Sequence, residues 1–257
     1  MPKLIHTIAE WRALRAEHRA AGRTIGFVPT MGALHEGHAS LFRAAAGEHP
    51  VVLASVFVNP TQFDEQHDFE KYPRTLAADC ALMDAAGVTV AFVPSVDEMY
   101  PNGTRYGVVE TEFSRELCGA HRPGHFAGML TVVMKLLQIA DAEAAYFGEK
   151  DYQQLLLIRG MREAFFLPTR IVGCPIIREP DGLAMSSRNA RLSSAERALA
   201  PQFHSALVAA PTVEQARARL EAAGFRVDYV EDRDGRRFGA VRLGQTRLID
   251  NVSLRVE

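Results

Sequence analysis

The stretch Thr24–His38, TIGFVPTMGALHEGH, carries the clearest structural signal, because it combines a buried strand, a turn and the start of a helix. The apolar run Thr24–Pro29 predicts the strand, and Gly37–Gly47 predicts the helix. Gly32 and Gly37 let the backbone approach a ligand closely. A helix start also offers unpaired N–H groups and a positive dipole end to phosphate. The stretch therefore predicts an α/β sheet with an anion site after one strand.

Two histidines, His35 and His38, stand three positions apart at this helix start and can share one face. They could be helix-start histidines without a task, or an i, i+3 zinc pair, but neither alternative explains the glycines and the strand–turn–helix context together. The segment resembles the H-x-G-H element of nucleotidyl-transferring Rossmann-like enzymes, which include class I aminoacyl-tRNA synthetases. That resemblance implies that both histidines contact ATP phosphates.

The rest of the first 180 or so residues alternates strand and helix patterns, as α/β domains do. Val51–Val58, VVLASVFV, is apolar at nearly every position, which is typical of a strand covered on both faces. The same reading predicts strands at Thr89–Val93, Ala144–Phe147 and Arg170–Ile177, and helices at Thr75–Ala86, Phe126–Ala140 and Tyr152–Phe165. We therefore expect a Rossmann-like, doubly wound parallel sheet with ligands at the carboxyl ends of its strands.

The pattern changes after Arg188. Polar and apolar residues alternate as in half-exposed antiparallel strands at Arg226–Glu231, Phe238–Leu243 and Arg247–Leu254. Helical patterns cover Ser193–Ala209 and Thr212–Ala223. We therefore expect a catalytic domain over residues 1–182 and a small α+β C-terminal domain over residues 183–257.

Composition excludes several classes of protein. The 257 residues include 29 Lys and Arg against 31 Asp and Glu, a formal net charge of −2, which argues against a partner of long nucleic acid. The three cysteines are odd in number and far apart, which indicates a reducing compartment. No apolar run approaches the roughly 18 residues of a membrane helix, and no P-loop pattern is present. We expect a cytoplasmic globular protein that does not bind a membrane.

Three further segments carry candidate ligands. Gly148–Gln154, GEKDYQQ, follows a strand, and its Lys150 and Asp151 suit phosphate and ribose hydroxyls, although Asp151 could simply cap a helix. Met185–Arg188, MSSR, places two hydroxyls before a guanidinium, although a polar linker has the same composition. Asn59–Phe63, NPTQF, follows the buried strand, although Asn-Pro also begins ordinary turns.

A competing metal pattern is formed by Cys118, His121 and His125. Pro123 and Gly124 interrupt it, and it has no nearby fourth ligand of the kind that structural zinc sites use. We therefore expect no metal site there.

Four segments occur in one order and together are similar to the pantothenate synthetase (pantoate–β-alanine ligase) family. They are PTMGALHEGH at 29–38, NPTQF at 59–63, HRPGHFAGMLTVV with FGEKDYQQ at 121–133 and 147–154, and DGLAMSSRN at 181–189. The similarity runs from about Gly26 to Arg191 and resumes weakly over Arg242–Asn251, RLGQTRLIDN.

The resemblance implies a two-step reaction. The pantoate carboxylate attacks the α-phosphate of Mg-ATP, and the amine of β-alanine then attacks pantoyl adenylate and releases AMP. The implied catalytic residues are His38, His35 and Lys150. The implied ATP-binding residues are Met31, Gly32, Ala33, Leu34, His35, Glu36, Gly37, His38, Gly148, Glu149, Lys150, Asp151, Ile177, Met185, Ser186, Ser187 and Arg188. The implied substrate-binding residues are Gln62, Gln154, Asn59, Tyr72 and Arg122.

The resemblance also implies ATP as a substrate, Mg²⁺ with it, and a homodimer. An acyl adenylate hydrolyses in water, so a lid is expected, and the small second domain on the MSSR segment is the candidate. One feature departs from the family, since the stretch between Ala198 and Arg242 is shorter than usual.

Three other functions compete with this reading. A nucleotidylyltransferase related to phosphopantetheine adenylyltransferase would share His35 and His38 but would not predict NPTQF or MSSRN. A small tRNA synthetase-like ligase fits poorly with the net charge of −2. A non-catalytic nucleotide-binding module would not need Lys150 beside the histidine pair.

Overall fold

The protein is described by a computed structural model that covers residues 1–63, 69–70 and 72–254. It forms two compact units. The first consists of Met1–Gly148 and Gln153–Cys174, and the second of Glu149–Tyr152 and the chain from Pro175 onward. The expected division between residues 182 and 183 therefore falls inside the second unit.

The first unit is built on a parallel sheet, as predicted. In the described residues it has six strands in the order β1-β4-β3-β2-β5-β6. The strands are β1 Lys3–Ile5, β2 Ile25–Thr30, β3 Val51–Val56, β4 Val90–Phe92, β5 Ala144–Gly148 and β6 Arg170–Cys174. The strand order reverses between β2 and β5, which is the position where open α/β sheets bind ligands. The predicted Rossmann-like fold class is confirmed.

Helices connect these strands and cover the sheet. They are α1 Ile8–Ala20, α2 Glu36–Glu48, α3 Leu76–Ala85, α4 Val96–Met99, α5 Cys118–His121, α6 His125–Ala140 and α7 Tyr152–Ala164. The apolar cluster includes Phe42 of α2, Met83 of α3 and Ala54 of β3, all fully buried. This packing explains why β3 is apolar on both faces. Within the described residues, no helix has the length and apolarity to cross a membrane.

The second unit contains the predicted antiparallel strands. They are β7 Arg226–Arg233, β8 Arg236–Leu243 and β9 Thr246–Ser253, paired in that order. Its helices are α8 Ser194–Leu199, α9 Pro201–Ala209 and α10 Val213–Ala222. Phe203, Leu207, Leu220 and Val241 are buried in its own apolar cluster.

Besides shifts of one or two residues at element ends, the structure differs from the sequence prediction at several points. The strand predicted over Arg170–Ile177 ends at Cys174, because Pro175 has no N–H to continue the ladder. Ile177 consequently lies in the second unit. The helix predicted over Ser193–Ala209 is two helices, since Pro201 begins α9 at a position that tolerates proline. The short strand β1 was not predicted, because its pattern is too brief to read.

Candidate functional site

The loop after β2 takes a conformation that few sequences tolerate. Gly32 and Ala33 both have positive φ, 81° and 51°. A side chain on Gly32 would approach Asp79 Oδ2 and Val56 Cγ1 at 3.1 Å each. The glycine predicted to allow close backbone approach therefore also suits the loop itself, because its positive φ would strain any other residue and its surroundings are tight.

The carboxylate of Asp79 in α3 holds this loop by hydrogen bonds to its backbone. Its side chain is buried, at 3% exposure, and its two carboxylate oxygens accept the backbone N–H groups of Ala33 (3.1 Å) and Leu34 (2.9 Å). Thr75 Oγ1 donates to the same carboxylate at 3.1 Å. Sequence reasoning missed Asp79, because a single aspartate within a helical pattern carries no signal of its contacts.

His35 and His38 form a reciprocal cap at the start of α2. The Gly37 N–H donates to His35 Nδ1 at 3.1 Å, and the His35 N–H donates to His38 Nδ1 at 3.3 Å. The ring centroids lie 4.2 Å apart. Because both Nδ1 atoms accept hydrogen bonds, each neutral ring carries its proton on Nε2. The pair thus forms two N–H donors at a helix N-terminus.

The turn after β3 holds two of the predicted substrate ligands. Asn59 is buried, at 1% exposure. Its Nδ2 donates to Gln62 Oε1 (3.0 Å) and Gly128 O (3.3 Å), and its Oδ1 accepts from Tyr100 (2.7 Å). Both amide hydrogens of Asn59 are therefore used inside the protein. The contact orients Gln62, whose Nε2 lies 3.3 Å from Met31 Sδ.

Arg122 and His125 contact the same turn. His125 Nδ1 lies 2.8 Å from Gln62 O, and Arg122 donates to His125 Nε2 at 3.0 Å. The predicted pocket residue Arg122 and a histidine from the rejected metal pattern therefore support Gln62. Among the described residues, no group of three or more His, Cys, Asp or Glu is placed to hold a metal ion.

The remaining substrate candidates differ in exposure. Tyr72 is 8% exposed, with its ring 5.8 Å from that of Phe63. Gln154 is half-buried. The neighbouring Gln153 is instead a structural residue, since its amide bonds Phe113 O, Glu116 O and the Cys118 N–H at 2.9–3.0 Å.

In the second unit, Lys150 lies on a single 3-10 turn, Glu149–Asp151, directly before α7. Its Nζ is 3.8 Å from Asp151 Oδ2, and the lysine side chain is 18% exposed while that of Asp151 is 49% exposed. Asn251 of β9 donates to the carbonyls of both Glu149 and Lys150.

The MSSR segment begins another 3-10 turn, Ser187–Arg191. Ser186 caps it, since its Oγ accepts the Arg188 N–H at 3.2 Å. The hydroxyl hydrogen of Ser186 can consequently donate to an anion. Lys150, Ser186 and Arg188 line one pocket, together with Arg247. Arg247, whose Nε donates to Asp228 at 2.7 Å, was not predicted.

A buried ion pair supports the chain on either side of this pocket. Arg178 contacts Asp250 through two nitrogens, at 2.7 and 3.0 Å, and His204 Nδ1 lies 3.3 Å from the same carboxylate. Burial acts to raise the pKa of Asp250, but the close contacts with His204 and Arg178 hold that pKa below its usual value. Met185 N donates to Ile177 O at 3.0 Å, so Ile177 and the MSSR segment are joined directly.

A parallel sheet whose β2 leads into a positive-φ glycine turn and a histidine-capped helix defines a Rossmann-like α/β protein with a loop whose donors suit an anion. The family model for pantoate-beta-alanine ligase matches residues 3–253. The chain belongs to the pantoate–β-alanine ligase family.

Named relatives and solved structures agree with this membership. A pantothenate synthetase of Bdellovibrio bacteriovorus is 50% identical over 254 residues, covering 99% of this chain and 100% of the relative. One from Legionella pneumophila is 46% identical over 252 residues, covering 98% and 100%. A relative of nearly the same length thus carries the family name, so the modest length is not particular to this chain.

Crystal structures of relatives from two organisms match nearly the whole chain. The pantothenate synthetase of Thermus thermophilus has a TM-score of 0.91 at 41% identity, covering 99% of this chain and 100% of that one. The ligase of Francisella tularensis, described as complexed with "Beta-gamma ATP and Beta-alanine", has a TM-score of 0.94 at 39% identity, covering 100% and 99%.

Proposed function

We propose that this chain joins pantoate to β-alanine through a pantoyl-adenylate intermediate. Family membership supports the ligation, and the relative crystallised with an ATP compound and β-alanine supports those two substrates. The observation that carries the use of ATP is the pocket in which Lys150 meets Ser186 and Arg188, which lie more than 30 positions further along the chain. Cationic and hydroxyl donors around one pocket suit a polyphosphate.

The reaction needs no nucleophile from the protein, because the substrates themselves supply both attacking groups. A pantoate carboxylate oxygen forms a bond to the α-phosphorus of ATP, and the bond to pyrophosphate breaks. The β-alanine nitrogen then bonds to the pantoyl carbon, AMP leaves with one oxygen from pantoate, and the amine loses a proton. Catalysis rests on alignment and on stabilising the charge that develops on phosphate.

His35 and His38 donate through Nε2–H to phosphate oxygens. Their Nδ1 atoms are held by backbone N–H groups, so each ring has one direction in which it can donate. The loop N–H groups of the Met31–His38 segment and the start of α2 add further donors to the same anion.

Lys150 stabilises the α-phosphate as charge accumulates, and Asp151 accepts from the ribose hydroxyls. Ser186, Ser187 and Arg188 hold the β- and γ-phosphates, and Ile177 borders adenine. The hydroxyl of Ser186, which accepts the Arg188 N–H, donates its hydrogen to a phosphate oxygen.

Gln62 and Gln154 hold pantoate, and Gln62 also serves the β-alanine site. Asn59 acts on pantoate chiefly by orienting Gln62, since both of its amide hydrogens are donated within the protein. Tyr72 and Arg122 line this part of the site, and Arg122 supports the Gln62 carbonyl through His125.

Mg²⁺ enters as part of the Mg-ATP substrate, because this ion is usually held by substrate phosphates and few protein ligands. We further propose that the chain acts in the cytoplasm as a homodimer, and that the smaller unit serves as the lid. Sedimentation analysis tests the dimer directly, and a monomer at catalytic concentration contradicts it.

The experiment that tests the function uses pantoate labelled with ¹⁸O in its carboxylate. With ATP and β-alanine, AMP carrying one ¹⁸O forms in step with the amide product. Without β-alanine, pyrophosphate is released only in proportion to the enzyme. Unlabelled AMP contradicts the adenylate route, and a stable adenylylated end product supports the nucleotidylyltransferase alternative instead.

Variants test the assigned roles. His38→Ala and Lys150→Ala each lower the adenylation rate on the order of 10²–10³, as expected for a lost transition-state donor. Near-normal rates in both variants contradict these roles.

A further inference from the structure

The RLGQTRLIDN segment shows similarity to the ligase family, yet its last residue has no role in the proposed chemistry. That residue, Asn251 of β9, is 2% exposed. Its Nδ2 donates to Glu149 O at 2.9 Å and to Lys150 O at 3.1 Å. These carbonyls belong to the peptide groups on either side of Lys150, so one side chain fixes both.

Arg236 of β8 determines which way the Asn251 amide faces. Its guanidinium donates to Asn251 Oδ1, so the two amide hydrogens must point to the loop carbonyls. The same guanidinium lies 3.5 Å from Glu149 Oε2 and 3.9 Å from the centre of the Tyr152 ring. Arg236 and Asn251 together contact Glu149, Lys150 and Tyr152, on both sides of the lysine as well as at its own carbonyl.

We propose that Asn251, oriented by Arg236, is a positioning residue that fixes the Lys150 ammonium for the adenylation step. The inference rests on the proposed role of Lys150. A single 3-10 turn has poorer hydrogen-bond geometry than an α-helix, so it needs support from outside the turn to hold its backbone in place. The two hydrogen bonds from Asn251 meet this need without contact with substrate.

The test is a double-mutant cycle between Asn251 and Lys150, measured as the single-turnover rate of pyrophosphate release from ATP and pantoate. Asn251→Ala lowers this rate about 10²-fold, the effect of a misplacement near 1 Å. In the Lys150→Ala background the same substitution has little further effect, because the group it positions is gone. Independent, multiplying effects overturn the proposal.

Two further variants separate positioning from general loss of structure. Val252→Ala removes methyl groups from the apolar cluster of the same strand, so it lowers the melting temperature but leaves the adenylation rate within about twofold. An equal rate loss in Val252→Ala and Asn251→Ala overturns the proposal. If Asn251→Ala does not fold, Asn251→Asp replaces it, since its carboxylate still pairs with Arg236 while repelling both carbonyls.

The proposal and the function on which it rests fail differently. A normal rate in Asn251→Ala together with a slow Lys150→Ala overturns the positioning role alone. A normal rate in Lys150→Ala contradicts the proposed role of Lys150 itself.

Discussion

Replacing Asp79 with asparagine tests whether a buried carboxylate holds the histidine loop in its strained conformation. The carboxylate accepts two backbone N–H groups, from Ala33 and Leu34. An asparagine has a single side-chain oxygen, and its NH₂ group would face the other N–H donor. The substitution changes one oxygen to nitrogen and removes a charge while leaving the volume nearly the same, so it isolates the hydrogen bonds.

The magnitude follows from these contacts. A hydrogen bond to a charged group contributes about 1.5–3 kcal/mol, and a buried donor left unpaired costs about 1–3 kcal/mol. Because one N–H loses its acceptor, we expect Asp79→Asn to lower the free energy of unfolding by about 2–4 kcal/mol. Ala33 has φ of 51°, a region that costs an L-residue about 1–2 kcal/mol. The loop then relaxes, and we expect the adenylation rate to fall about 10²-fold through misplaced histidines.

The assay combines urea unfolding with the single-turnover rate of pyrophosphate release. Thr75→Val is the matched control, because it removes only the third partner of the carboxylate and should change the rate by less than about threefold. Adding Ala33→Gly to Asp79→Asn should restore about 1 kcal/mol, since glycine tolerates the positive φ. Wild-type stability together with a wild-type rate in Asp79→Asn contradicts the role of Asp79 in holding the loop.

Three further predictions concern packing, buried charge and pH. Gly128→Ala places a Cβ 2.1 Å from Thr61 O, so it should destabilise the protein by about 1–3 kcal/mol and raise the KM for pantoate, whereas Gly160→Ala, with open space around it, should leave that KM unchanged. Arg237→Met removes a guanidinium that is 1% exposed and donates to carbonyls at the end of α9, so urea unfolding should show a loss of about 3 kcal/mol; a loss below 1 kcal/mol contradicts this. Burial raises the pKa of Tyr146 to about 12, so the stability contributed by its neutral form is complete below about pH 10 and declines by about 2 kcal/mol as the pH approaches 12. Tyr146→Phe should show a smaller decline in the free energy of unfolding over this pH range. An identical decline in the variant rules out Tyr146 as its cause.

The fold could be predicted from local sequence patterns. The residues that hold the loops of the candidate site act through contacts between distant parts of the sequence. The apolar run of β3 and the glycine turn after β2 are each indicated by neighbouring residues alone, so both were predicted. Asp79 and Asn251 were not, because each is a single polar residue inside an ordinary helix or strand pattern. Their roles arise only in the folded chain, where Asp79 contacts a loop 45 residues away and Asn251 contacts a loop 101 residues away.

Long-range contacts also explain how a chain of net charge −2 can bind ATP, which carries about four negative charges. In the second unit, three cations in or beside the pocket lie near acids: Lys150 lies near Asp151, Arg178 pairs with Asp250, and Arg247 pairs with Asp228. Attraction by net charge is therefore small, and binding must come from the directions in which donors point. Directions require rigid support, because a donor that swings freely loses its advantage over water. The buried carboxylates and amides that hydrogen-bond to these loops are thus part of the proposed phosphate site, although none of them needs to touch ATP.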